Sequence, residues 1–155
     1  MVGLLESLAV HIEKETGLKV FIEPQPVNIQ EPHVRILAKS FSFIGEGQTD
    51  NYMAGQYTVE LNLLVTLLGF GDGPDKFLSA VLEASFKLGK LFERPFSVHL
   101  IQNDRAETKP TGNFTVQAQK SSGGHFSQNA EEGAMPYRYE ENFEVSLYFP
   151  YSSLI

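Results

Sequence analysis

The residues of this chain that could do chemistry are few, and their spacing decides against most of the chemistry they suggest. Gly69, Gly71 and Gly73 stand between an apolar alternating run and a helical one, the place where backbone N–H groups can cradle a phosphate. The run Gly69-Phe70-Gly71-Asp72-Gly73-Pro74 does not fit G-x-G-x-x-G, and no lysine and hydroxyl pair follows it as in a P-loop. Asp72 would put negative charge where the anion sits, and Pro74 removes a donor. It reads as a turn leading into a capped helix, with Asp72 and Asp75 as acids suited to a helix N-terminus rather than cation ligands. His11, His33, His99 and His125 fall on separate segments with no H-x-H or H-E-x-x-H spacing, so no metal site is expected. Ser121-Ser122-Gly123-Gly124-His125 lacks the G-x-S-x-G elbow that holds a nucleophile against its base. Glu131-Glu132 and Glu140-Glu141 are adjacent acids, and neighbours along a strand point to opposite faces. They read as solvated surface and not as a catalytic pair. Tyr137, Tyr139 and Tyr148 fit either an aromatic contact surface or core packing. No catalytic residue, cofactor site or metal site is expected.

The elements that would position these residues are legible from periodicity. Leu4, Leu5, Leu8 and Ile12 recur at helical spacing ahead of Gly17, predicting a helix over 2–16. Residues 18–23 alternate as a strand, and Pro24, Pro26 and Pro32 break the linker that follows. Val34, Ile36 and Ala38 share one parity and Phe41 and Phe43 the other, which predicts a strand over 34–44 with a bulge near Lys39 or Ser40. Tyr57, Val59, Leu61, Leu63, Val65 and Leu67 occupy the odd positions of a half-buried antiparallel strand over 56–68, paired with 34–44. Phe77, Leu78, Val81, Leu82, Ser85, Leu88, Gly89 and Phe92 trace one face of a helix over 75–92. Strands are predicted around Phe96, Val98 and Leu100 and around Phe114, Val116 and Ala118, pairing with each other. Tyr137, Tyr139, Phe143, Val145, Leu147 and Phe149 make a last long strand. Two glycine-rich polar stretches, 45–55 and 121–136, read as long mobile loops.

The expected fold is therefore one α+β domain over 1–155: a single antiparallel β-sheet with two long amphipathic strands, covered on one face by two α-helices. With 155 residues, 42% of them hydrophobic and none of them cysteine, the chain is long enough to bury one core by packing alone, and thiolate chemistry is excluded. A formal net charge of -7 opposes binding to a phosphate backbone, but suits a wall along which DNA passes without sticking. The opening residues lack a basic stretch before their apolar ones and read as a helix, not a secretory signal. No apolar run reaches the roughly 20 residues of a membrane helix. Asn113-Phe114-Thr115 has the form of a glycosylation sequon but reads as a strand start. Two helices leave a sheet face or edge open, which predicts self-association.

The order of elements, with YTVELNLLVTLLG as the second strand of a wide hairpin and YRYEENFEVSLYF as the terminal strand, resembles the tail terminator, or tail completion, proteins of long-tailed phages and prophages. The likeness runs over most of the chain through the order of its elements and not through a short motif. It implies a non-enzymatic structural protein of the virion tail or neck, made in the bacterial cytoplasm. Such proteins assemble as hexameric rings that stop the tail tube and dock to the head, which implies tail tube and head-completion proteins as partners and a lumen that lets DNA through without specific binding. It places the assembly contacts in the two long loops, at Gly45, Gln48, Asp50, Tyr52 and Met53, and at His125, Phe126, Glu131 and Glu132. A small-molecule-binding or enzymatic α+β domain is the alternative.

Overall fold

A computed structural model of the chain describes residues 3–24, 31–44, 56–69, 73–100, 113–118, 121, 123–128 and 137–150. Helix α1, Leu4–Thr16, buries Leu4, Leu8 and Ile12 along one stripe. It ends at Gly17, whose φ of 76° suits a residue without Cβ and whose N–H donates to the Glu13 carbonyl at 2.8 Å. The Glu13 carboxylate then accepts from the Val20 N–H at 2.9 Å, tying the helix to strand β1, Lys19–Ile22.

Strand β2, His33–Ile44, runs parallel to β1 and antiparallel to β3, Gln56–Gly69. The register shifts between Ala38 and Ser40, as the change of parity predicted. The bulge returns Phe41 to the side of Ile36 and Ala38, because Phe41 lies opposite Val59 while Ala38 lies opposite Leu61. Helix α2, Pro74–Leu91, precedes β4, Phe96–His99, and β5, Asn113–Ala118, which pair antiparallel as expected. Strand β6, Gly124–Gln128, and strand β7, Tyr137–Pro150, complete the chain of elements.

The strand order is β1-β2-β3-β7-β5-β4, with β6 added to β7. This corrects the expected fold in two ways. The sheet is mixed and curled into a half-barrel, not a single antiparallel sheet, and strand predominates among the described residues. Alternation with period two is the same in parallel and antiparallel strands, so the direction of β1 was invisible in its residues. The third correction is β6 itself, which lies inside a stretch read as loop. It is only five residues long and begins at glycine, leaving too few residues for a period to show.

The core lies on the odd face of β3. Leu61, Leu63 and Val65 pack in one cluster with Leu8 and Ile12 of α1, Phe77, Val81 and Leu88 of α2, and Val145, Leu147 and Phe149 of β7. Each such side chain contributes roughly 1.5–3 kcal/mol by leaving water. Leu63→Ala should therefore cost about 2–5 kcal/mol in denaturant unfolding, whereas Leu37→Ala, at a half-exposed site on β2, should cost under about 1 kcal/mol. Equal losses would show that the strand faces are assigned wrongly.

Candidate functional site

Helix α2 carries more apolar residues than the sheet beneath it can bury. Phe77, Val81 and Leu88 are buried, but Leu78, Leu82 and Phe86 are 45%, 62% and 70% exposed. Leu78 and Leu82 were expected on the buried face. At 100° per residue the stripe 78-82-86 is centred roughly 120° from the buried one, too far round for a single sheet to cover both. Phe86, four residues beyond Leu82, was the available signal of this second stripe.

A hollow flanks each end of the stripe. One of about 410 Å³ is lined by Pro74, Phe77, Leu78, Phe126, Ser127 and Tyr137. Within it Phe77 stacks on Tyr137 at 5.5 Å between ring centroids and meets Phe126 edge-on at 6.3 Å. The other, of about 540 Å³, lies between the helices, where Phe86, Lys87, Lys90 and Leu91 face His11 and Glu15. His11 stacks on Phe96 at 5.0 Å there. Apolar surface flanked by lysines and a glutamate in this way suits contact with another protein surface.

Beneath the first hollow lies a buried polar pair. Glu141 sits opposite Val65 on the core face and is 8% exposed, which corrects its reading as solvated surface. Its carboxylate accepts from the Tyr139 hydroxyl at 2.8 Å. Burial first, and then the neighbouring Glu141, hold the Tyr139 phenol above its ordinary value, with Ser85 acting in the opposite sense. Gly124 allows this geometry, because a Cβ there would overlap the Tyr139 ring. The pair braces β7 through a hydrogen bond internal to the strand, so it reads as structural.

The opposite face of the sheet is polar. Glu23, Pro24, Arg35, Leu37, Asn62, Leu64 and Asn142 line a third hollow of about 600 Å³. Arg35 Nε lies 3.3 Å from a Glu23 oxygen as an ion pair, but the angle is not that of a hydrogen bond, and both this atom and Asn62 Oδ1 lack a hydrogen-bond partner. Beside them His33 is buried, its Nδ1 2.7 Å from the Glu31 carbonyl and its Nε2 unpartnered. Burial lowers its pKa, the Glu31 carbonyl opposing this and Arg35 and Arg138 adding to it. Ser146 donates to Glu60 at 2.8 Å, and Lys39 pairs with Glu144 at 3.7 Å on the same face.

Of the expected contact residues, His125 and Phe126 lie exposed on β6, and Phe126 lines the first hollow. Gly45, Gln48, Asp50, Tyr52, Met53, Glu131 and Glu132 lie outside the described residues. The histidines stand apart on α1, β2, β4 and β6, and among the described residues no cluster of three metal-binding side chains forms. Among the same residues no helix is long and apolar enough to cross a membrane.

The Tyr139 environment sets a pH dependence. A phenol whose folded pKa is raised contributes stability that is full below its unfolded value, near 10, and is lost as pH rises beyond it. Wild-type stability should fall from about pH 10 upward, and Tyr139→Phe should fall less steeply, as followed by urea unfolding at a series of alkaline pH values. At neutral pH the same variant should cost about 1–3 kcal/mol, because it leaves the Glu141 carboxylate buried without its donor. In comparison with known proteins, no family model and no curated protein matches this chain.

Proposed function

We propose that this chain is a non-enzymatic structural subunit that associates with copies of itself into a ring that ends a phage-like tail tube and joins it to the head. The observation that carries the reading is the exposed stripe Leu78, Leu82 and Phe86, running between two hollows on a helix whose other face is fully used in the core. A free monomer gains nothing by holding such surface in water, whereas a subunit buries it against neighbours. The order of elements that resembles tail terminator proteins specifies the kind of assembly. The net charge of -7 supports a lumen through which DNA passes without being held. The tail tube and head-completion proteins are its partners, and the virion tail or neck is its place of action.

A second reading rests on the third hollow, where apolar lining from Pro24, Leu37 and Leu64 surrounds Arg35 Nε and Asn62 Oδ1, which are left without hydrogen-bond partners. An amide-bearing small molecule could accept from one and donate to the other. Ligand-dependent shifts of the Asn62 and Asn142 side-chain amide resonances would favour this reading over the first.

Light scattering on a size-exclusion column, over rising protein concentration, is the direct test of the ring. Mass should rise toward a closed multiple of the 17.3 kDa subunit. Leu82→Glu should abolish that rise, with stability changed by no more than about 0.5 kcal/mol at so exposed a site, and should give tails of abnormal length that fail to join heads. A monomer at every concentration, with normal tails built from Leu82→Glu subunits, would refute the reading.

A further inference from the structure

Among the described residues, strands β2 and β6, which each carry an exposed phenylalanine, are open along part or all of their outer sides. Strand β1 pairs with β2 only from His33 to Ile36, and the Glu23 N–H donates to the Ile36 carbonyl at 2.9 Å. Pro24, which follows, has no N–H to continue the ladder. Val34 and Ile36, under β1, are fully buried. Every residue from 37 to 42 is exposed, although each except the bulged Lys39 is paired with β3 on the inner side. Among the described residues, nothing pairs with this stretch on its outer side. Strand β6 has the same character: it pairs with β7 alone, and His125, Phe126 and Ser127 are exposed in succession. A bare sheet edge presents main-chain donors and acceptors that only another extended chain can satisfy together.

Side chains match the two edges to one another. Phe149, Tyr57 and Phe41 form a stack across β7, β3 and β2, with centroids 5.3 and 5.2 Å apart. The stack is fully buried at Phe149 and ends on Phe41, which is 59% exposed. Phe126 is 58% exposed and lies 5.0 Å from the Tyr139 ring, its partner in the β6–β7 ladder. Phe41 pairs across to Val59, and Phe126 to Tyr139, which in turn pairs to Leu67. Both phenylalanines therefore stand on the core side of the sheet. Joined edge to edge, they would meet as a cross-strand aromatic pair.

We infer that residues 37–42 of β2 accept β6 of a second copy of this chain, so that the sheet continues from subunit to subunit. Strand directions alternate from β2 through β3 and β7 to β6, so this continuation is antiparallel. With Phe41 opposite Phe126, Ser40 falls opposite Ser127. The joint uses two different edges, so it is head-to-tail, and repetition of one such contact closes into a ring when its rotation divides the circle. Two β2 edges paired about a two-fold axis would instead stop at a dimer. The inference rests on the ring reading and names its contact.

The absence of cysteine makes the test clean. Within one chain Ser40 and Ser127 are three strand spacings of roughly 4.8 Å apart across β3 and β7 and stand level with Ser146 and Arg138, eight residues apart along β7, well beyond the roughly 7 Å limit between the Cα atoms of a disulfide. Under oxidising conditions the S40C/S127C double variant should give a ladder of linked multimers on non-reducing gels. A mixture of the two single variants should give linked dimers only, and each single variant alone should give none. Thermal midpoints equal to wild type confirm that the variants fold, as both serines are exposed. Dimers from Ser40→Cys alone would overturn the joint in favour of paired β2 edges. Association by light scattering without any linkage in the double variant would overturn the joint and leave the ring standing. A monomer at every concentration would remove both.

Discussion

The structure depends on the ladder between β3 and β7, which pairs Gln56 through Gly69 with Pro150 through Tyr137 without interruption. Each strand supplies an alternating apolar face. Antiparallel pairing at constant register sets Leu61 against Val145, Val59 against Leu147 and Tyr57 against Phe149, all on one side. A slip of one residue would turn one strand's face over and put either Glu60 and Asn62 of β3 or Glu144 of β7 into the core, so burial and register enforce one another. Both helices, β2 on one flank and β5 and β6 on the other are arranged around that ladder.

From this centre outward, cover becomes uneven. The outer side of β7 is lined in turn by β6 and β5, while the outer side of β2 is covered by β1 for only a third of its length. Helix α2 buries one stripe and exposes another. The tightly packed middle supplies the stability, and the partly covered periphery is free to be adapted for contact. That division suits the proposed assembly subunit, a rigid frame whose surplus apolar surface and open edges are available to other chains. The buried Tyr139–Glu141 pair fits the same scheme, since it fixes β7 beside the hollow that Phe126 and Leu78 line.

The ring proposed above does not need any single contact to be strong. A short strand joint and a stripe of three side chains each offer modest area, but identical contacts acting together around a closed ring reinforce one another. The polar sheet face contributes differently. It satisfies polar groups of its own, Lys39 by an ion pair with Glu144 at an exposed site and the buried Ser146 hydroxyl by a hydrogen bond to Glu60.

How far the fold was legible follows from what a linear period can carry. Helix α1, strands β2, β3 and β7, the bulge beside Ser40 and the pairing of β4 with β5 were all readable, because each depends on residues close in sequence or on parity. The resemblance to tail terminator proteins puts Phe126 in a contact loop, whereas it sits on the short strand β6. The direction of β1, the existence of β6 and the burial of Glu141 were not readable. Parallel and antiparallel strands share one period and five residues are too few to show one; Glu141 shares the parity of Tyr139 and Phe143, but a carboxylate's type argued for solvent until its hydrogen bond to the Tyr139 hydroxyl was seen. The sequence by itself determined which faces are apolar and where strands and helices run. Only the tertiary structure decided which of those faces and edges stay uncovered, because that depends on how far neighbouring elements reach and not on the residues that wait for them.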